Sequence, residues 1–248
     1  MLPLLLLLFS SLLTAQDGSN RPLGDYTLHD FAAKWMMQQG DLAELGHYAD
    51  DNAALTATDD VRRRIVLFGD SITFHWPEDL LPDDATMRFV NRAIPGQNTS
   101  QMLLRFEDDV VALGPAVVVI LAGTNDLRAH AGRPEDLRDG VTRQFQRNIT
   151  AMADIAAARQ ISVVLCSITP VGPSQAGVFR DPATIIVLNQ WLAHFAQERA
   201  LTYLDYHEDL RQEDGLLKPE FSTDDLHVNR AGYHVMNSRL LAALASLD

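Results

Sequence analysis

The feature that most constrains this chain is an alternation. Five short apolar runs rich in β-branched residues (Ile65–Phe68, Arg88–Asn91, Ala116–Leu121, Ile161–Ser167 and Thr202–Leu204) alternate with segments whose apolar residues recur at helical spacing. Ser100–Leu113 places Met102, Leu103, Phe106, Val110 and Leu113 on one face, and Thr184–Ala200 does the same with Ile185, Leu188, Leu192 and Phe195. Longer helical stretches are expected over Asp136–Gln160 and Arg230–Leu247. Strands alternating with helices argue for a parallel sheet covered on both faces. Right-handed crossovers then limit the topology to a doubly wound α/β fold, a three-layer α/β/α sandwich on a five-stranded parallel sheet.

A chain of 248 residues that is 47% hydrophobic supports one sizeable core rather than two. The formal net charge of -13 repels nucleic-acid phosphates and anionic membranes, so nucleic acid is excluded as a partner. The single cysteine, Cys166, lies in an apolar strand-like run and reads as a buried structural thiol. Leu2 to Leu13 are nearly all apolar and precede Thr14-Ala15-Gln16. That run is too short for a membrane-spanning helix and fits a secretory signal over residues 1–15, which implies a secreted or periplasmic mature protein with no integral membrane span. Residues 16–61 read as a leader. Its stretch from Leu28 to Leu55, interrupted by Gly40 and Gly46, carries Phe31, Trp35, Leu42, Leu45 and Tyr48, and suggests two short amphipathic helices packed on the outside of the main domain, 62–248. Nothing in the sequence fixes an oligomeric state.

In an open parallel sheet, ligands bind beyond the carboxyl ends of the strands. Gly69-Asp70-Ser71 follows the first run, Asn91 to Thr99 the second, Gly123-Thr124-Asn125-Asp126 the third and Thr169 to Pro173 the fourth; Asp224-Asp225-Leu226-His227 comes in a later loop after the fifth. The topology therefore brings a serine, a histidine, an aspartate three residues before it and an asparagine to one edge. Acyl transfer needs these residue types. A serine hydroxyl is a poor nucleophile until a base takes its proton, and neutral imidazole suits that task. A carboxylate fixes the imidazole tautomer and stabilises the imidazolium that forms. The backbone N–H groups of Ser71 and Gly96 and the side-chain amide of Asn125 are candidate donors to the oxyanion.

At these residues the sequence resembles the SGNH hydrolases, also called GDSL esterases and lipases. The resemblance covers about Arg62 to Leu241 and is carried by four blocks: Val66 to Thr73, Asn91 to Thr99, Gly123 to Asp126, and Asp224 to Asn229 followed by Gly232-Tyr233. It implies a flavodoxin-like fold, no metal or organic cofactor, and a small-molecule ester substrate. It also implies Ser71, Asp224 and His227 as catalytic residues and Ser71, Gly96 and Asn125 as the oxyanion hole. The likeness is closest to the bacterial branch related to platelet-activating-factor acetylhydrolase and short-acyl esterases. The chain departs from the family pattern at Ala93 and Pro95 in the second block and at Asp225 and Val228 in the last. Pro95, with no N–H, puts the role of Gly96 in question most directly.

Other readings are weaker. Gly172-Pro-Ser174-Gln-Ala176 is the nearest approach to a nucleophile elbow, but Pro173, Gly177 and Pro182 leave no clean helix start behind Ser174. The eight histidines include no His-x-x-x-His pair of the kind that binds zinc on a helix, and His75, His130 and His207 read as surface or pocket-rim residues. A lysophospholipase or thioesterase would need a long apolar groove, whereas the loops Thr73–Thr86, Leu127–Pro134 and Val171–Pro182 mix Phe74, Trp76 and Phe179 with many polar groups. That favours a short acyl group on a polar alcohol or carbohydrate. A non-catalytic carbohydrate- or lipid-binding module on the same fold is the non-enzyme alternative.

Overall fold

The alternation folds as a five-stranded, all-parallel sheet in the computed structural model, which describes residues 27, 40–58, 60–82, 86–129, 134–176 and 179–247. The strands are β1 (Arg63–Gly69), β2 (Met87–Asn91), β3 (Val117–Leu121), β4 (Ser162–Cys166) and β5 (Thr202–Leu204). Their spatial order is β2-β1-β3-β4-β5, so the chain winds outward in both directions from the β1/β3 junction. That junction is the topological switch point at which α/β sheets place ligands. Register is tight there, with Phe68 beside Ile120 and Gly69 beside Leu121, so both strands end at one level.

The helices are α1 (Ala49–Thr56), α2 (Ser71–Phe74), α3 (Thr99–Asp109), α4 (Glu135–Ala158), α5 (Pro182–Glu198), α6 (Tyr206–Leu210) and α7 (Arg230–Ala245). Side chains alternate across the sheet and build two cores. On one face Val66, Phe68, Val118, Ile120 and Leu165 pack with Phe106, Phe145 and Leu188 from α3, α4 and α5. On the other, Ile65, Leu67, Val119, Val164 and Cys166 pack with Ile72, Tyr206, Met236 and Leu240 from α2, α6 and α7. Cys166 is buried as expected, and burial pushes its thiol well above its ordinary range.

Several helix starts are set by polar caps. Asn98 and Gln101 form a reciprocal capping box on α3. Asp181 caps α5 with Pro182 in its first turn, and Asn229 caps α7.

The segment before the sheet differs from expectation. The first of the two anticipated amphipathic helices falls largely on residues 28–39, outside the described residues, as do residues 1–15. Residues 41–47 form turns rather than helix, and Leu42 and Leu45 are exposed instead of packed. Tyr48 and Leu55 make the contacts: the Tyr48 hydroxyl donates to Ala93 O at 2.6 Å, and Leu55 joins the first core.

Candidate active site

Three side chains from two distant loops line up at the carboxyl edge of the sheet. Ser71 is the first residue of α2, reached directly from β1. Asp70 caps that short helix by accepting the Ile72 N–H at 3.0 Å. His227 Nε2 lies 2.9 Å from Ser71 Oγ, and His227 Nδ1 lies 2.6 Å from Asp224 Oδ2. A carboxylate only accepts, so Nδ1 carries the proton and Nε2 is left to accept from the serine hydroxyl. Asp224 Oδ1 also accepts the backbone N–H groups of Leu226 and His227, at 3.0 and 2.7 Å. Burial pulls the Asp224 carboxyl upward. The hydrogen bonds from the His227 ring and backbone more than offset this and hold it well below the usual carboxylate range.

The loops that carry the candidate oxyanion donors meet beside the serine: Asn125 contacts Gln97, next to Gly96, and Asp70, next to Ser71. Ile94-Pro95-Gly96-Gln97 makes a turn closed by Gln97 N–H to Ile94 O at 3.4 Å, with Gly96 at φ 83°. Proline then glycine with positive φ is the pattern of a type II turn, so Pro95 shapes the loop instead of disrupting it. Among the described residues, neither the Ser71 nor the Gly96 backbone N–H donates a hydrogen bond. Asn125 is buried, and its Nδ2 donates to Gln97 O at 3.0 Å and approaches Asp70 Oδ2 at 3.4 Å. The site can therefore direct a hydroxyl at a carbonyl carbon and offer unpaired donors to the carbonyl oxygen.

The remaining candidates fall elsewhere. Ser174 is exposed in a turn and its backbone N–H donates to Asp225 Oδ2. His75 does lie at the rim, its ring edge-on to His227 with centroids 5.9 Å apart. His207 is buried rather than on the open surface, lining a cavity with Asn189, Tyr203 and Arg211, and its backbone N–H donates to Ser167 Oγ beyond the end of β4. His130 lies outside the described residues. Trp76 belongs to the second core, packed against Tyr206 and Tyr233 and donating to Asn237 Oδ1 at 3.3 Å.

Two buried arginines that the sequence reading did not single out brace the site. Arg105 of α3 donates to Gln97 Oε1, Arg92 O and Asp109 Oδ2 at 2.6, 2.6 and 2.9 Å, and lies over the Phe68 ring. Arg180, just before α5, donates to Thr124 O and Oγ1 at 2.8 and 3.0 Å and to Gln175 Oε1 at 2.9 Å. Only the position of Arg105 inside an amphipathic helix, one residue before Phe106, could have signalled burial; for Arg180 no local signal exists.

A doubly wound parallel sheet carrying this hydrogen-bonded row at its switch point defines the class, an acylhydrolase. Residues 67–235 match the model of the GDSL-like Lipase/Acylhydrolase family, and the chain belongs to that family. It is similar to BF3764 of Bacteroides fragilis, provisionally termed an acylhydrolase: 31% identity over 84% of this chain and 99% of that one, TM-score 0.73. A GDSL-like lipase of Bacteroides thetaiotaomicron, BT0569, is 30% identical over 83% of this chain and 99% of that one, TM-score 0.72. The acetylxylan esterase Axe2 of Geobacillus stearothermophilus shares the fold, at 18% identity over 73% of this chain and 93% of that one, TM-score 0.61. None of the curated proteins matches the chain. Among the described residues, no helix is long and apolar enough to cross a membrane.

Proposed function

We propose that the enzyme hydrolyses carboxylic esters in two steps through an acyl-enzyme on Ser71. Ser71 Oγ attacks the acyl carbonyl as His227 Nε2 takes its proton, and Asp224 steadies the imidazolium. The oxyanion is held by the Ser71 and Gly96 backbone N–H groups and the Asn125 amide. His227 returns the proton to the departing alcohol, and water, activated by the same imidazole, cleaves the acyl-enzyme. The observation that carries this reading is the Ser71–His227–Asp224 row, with contacts of 2.9 and 2.6 Å.

The substrate class we infer is a short-acyl, acetyl-type ester of a polar alcohol or carbohydrate. Trp76 is committed to the core, which leaves the partly buried Phe74 as the aromatic side chain that the Thr73–Thr86 loop can offer a substrate. Asp224, Asp225, Ser174 and His75 give the neighbouring loops a polar character. We further infer that residues 1–15 are a removed export signal and that 62–248 form the catalytic domain; mass spectrometry of the mature N-terminus tests the cleavage.

The deciding experiment is labelling with a fluorophosphonate probe, run beside Ser71→Ala and a panel of nitrophenyl esters and acetylated sugars. Labelling of the parent alone, with turnover falling steeply beyond the shortest acyl chains, is the expected result. Turnover near the parental rate in Ser71→Ala would remove the nucleophile assignment, since loss of a triad serine costs around a millionfold. Failure of the parent to label or to turn over any ester would leave a binding module, and a preference for long chains would move the reading to a lysophospholipase or thioesterase.

A further inference from the structure

An amide side chain serves as an oxyanion donor only when its NH2 end faces the reacting carbonyl. Asn125 has two possible orientations, related by a half-turn about its last torsion. What surrounds each end decides between them. The NH2 end faces two acceptors, Gln97 O at 3.0 Å and Asp70 Oδ2 at 3.4 Å. The oxygen end faces Nη2 of Arg180 at 3.4 Å. In the turned orientation, oxygen would meet oxygen at Gln97 and Asp70 while NH2 met a guanidinium with no acceptor to offer. The contacts on both sides select the same orientation, but Gln97 O and Asp70 sit on the donor side, where the substrate oxygen must compete with them. Arg180 is the only one of the three that acts from behind.

We infer that Arg180 is a positioning residue for catalysis: it holds the Asn125 amide with its NH2 directed at the oxyanion. The inference rests on the ester-hydrolase reading above and extends it to a residue 55 positions away from Asn125 in the chain. The guanidinium is well built for the task. It is 1% exposed and, among the described residues, touches no carboxylate within hydrogen-bond distance, so no ion pair with them sets its direction. Nε is bound by both the carbonyl and the hydroxyl of Thr124, the residue immediately before Asn125, while Nη1 is held by Gln175. With Nε and Nη1 anchored, the planar fork leaves Nη2 no freedom except to point at Asn125. The loop that delivers Arg180 is itself tied to the loop bearing the histidine: Gly172 N–H donates to Asp225 O at 2.8 Å and Ser174 N–H to Asp225 Oδ2 at 3.0 Å. One short segment thus connects the Asp224–His227 loop to the back of the oxyanion asparagine.

The test is a double-mutant cycle between Arg180→Gln and Asn125→Ala, read with an ester and its thionoester, whose sulfur is a poor hydrogen-bond acceptor. Arg180→Gln is expected to lower kcat on the ester by on the order of ten- to a hundredfold with little change in KM, and to narrow the ester-over-thionoester preference. In the Asn125→Ala background the same substitution is expected to add less than about twofold, because the group it positions is gone. Full multiplication of the two losses, an unchanged thionoester preference, or an effect confined to KM would overturn the inference and leave Arg180 as scaffold. If Arg180→Gln does not fold, Thr124→Val, which removes one acceptor from Nε at nearly constant volume, takes its place in the same cycle with the same outcomes. Ester turnover that survives Ser71→Ala would instead overturn the underlying reading and the inference with it.

Discussion

Asp225 Oδ1 occupies the space that a side chain on residue 172 would need: a Cβ built on Gly172 would stand 2.4 Å from it. Asp225 is also one of four non-glycine residues with positive φ among the described residues, at 63°. An L-residue there costs roughly 1–2 kcal/mol. Two hydrogen bonds offset it, from Gly172 N–H to its carbonyl and from Ser174 N–H to its side chain. Asp225 is therefore a clamp between two loops of the site, and it fits because residue 172 has no side chain.

Gly172→Ala is expected to push Asp225 aside, destabilise the protein by about 1–3 kcal/mol and lower kcat through the adjoining Asp224 and His227. Restoring the space with Asp225→Gly in the same chain should recover most of the stability. Denaturant midpoints of the two single variants and the double decide it: additive losses would show that the two residues do not compete for that space.

Asn125→Ala removes one of three candidate donors to the oxyanion. A loss on the order of a hundred- to a thousandfold in kcat is expected, with KM nearly constant, since the interaction strengthens only as negative charge develops. Steady-state kinetics on a short-acyl nitrophenyl ester measures this. A rise in KM at constant kcat would assign Asn125 to ground-state binding.

The strands were legible because each is an apolar run bounded by turn residues, and the observed ends fall within two residues of those read from the sequence. The helices α3, α4, α5 and α7 were legible from their spacing and caps. Ser71, Asn125, Asp224 and His227 could be brought to one edge because a parallel sheet fixes where strand ends point. What periodicity could not show is which polar residues turn inward. Arg180 is buried by contacts to Thr124 and Asn125, some 55 residues away, and His207 by a bond to Ser167, 40 residues away. Leu42 and Leu45 fail for the opposite reason: they carry an apolar pattern, but the chain there forms turns, and Tyr48 and Leu55 do the packing.

Burial raises the carboxyls of Asp70 and Asp126 to about 6 from an ordinary value near 3.8. Between about pH 4 and 6 the folded chain therefore holds protons that the unfolded chain has released, so these two groups favour folding in acid and lose that contribution as pH rises through 6. The lowered histidines His47, His75 and His207, whose burial disfavours the cation, act in the opposite sense below about 6.5. A comparison with Asp126→Asn isolates one group. The variant's stability relative to the parent should increase from pH 4 to pH 6.5 by on the order of 2–3 kcal/mol and then level off. A difference that stays flat across that interval, in urea melts at fixed ionic strength, would mean that Asp126 is not displaced upward.

Arg105 tests whether the Gly96 loop depends on a buried cation. Its side chain is fully buried and joins four residues from three parts of the structure: Gln97 and Arg92 on the loop around Gly96, Gly69 at the end of β1, and Asp109 one turn along α3. Asp109 has a second partner in Asn52 Nδ2 at 2.7 Å, but Gln97 Oε1 and Arg92 O have no other donor among the described residues. Arg105→Met preserves volume and removes every donor, so it leaves a buried carboxylate and two buried carbonyl-type oxygens short of partners. A loss of about 3–5 kcal/mol is expected from such a one-sided break. Adding Asp109→Leu should return part of it, because an apolar pair no longer strands a charge. The Gly96 turn would still lack its brace in the double variant, so kcat should stay depressed while the denaturation midpoint recovers. Recovery of both together would show that Arg105 supports the fold as a whole and has no separate hold on the loop that carries Gly96.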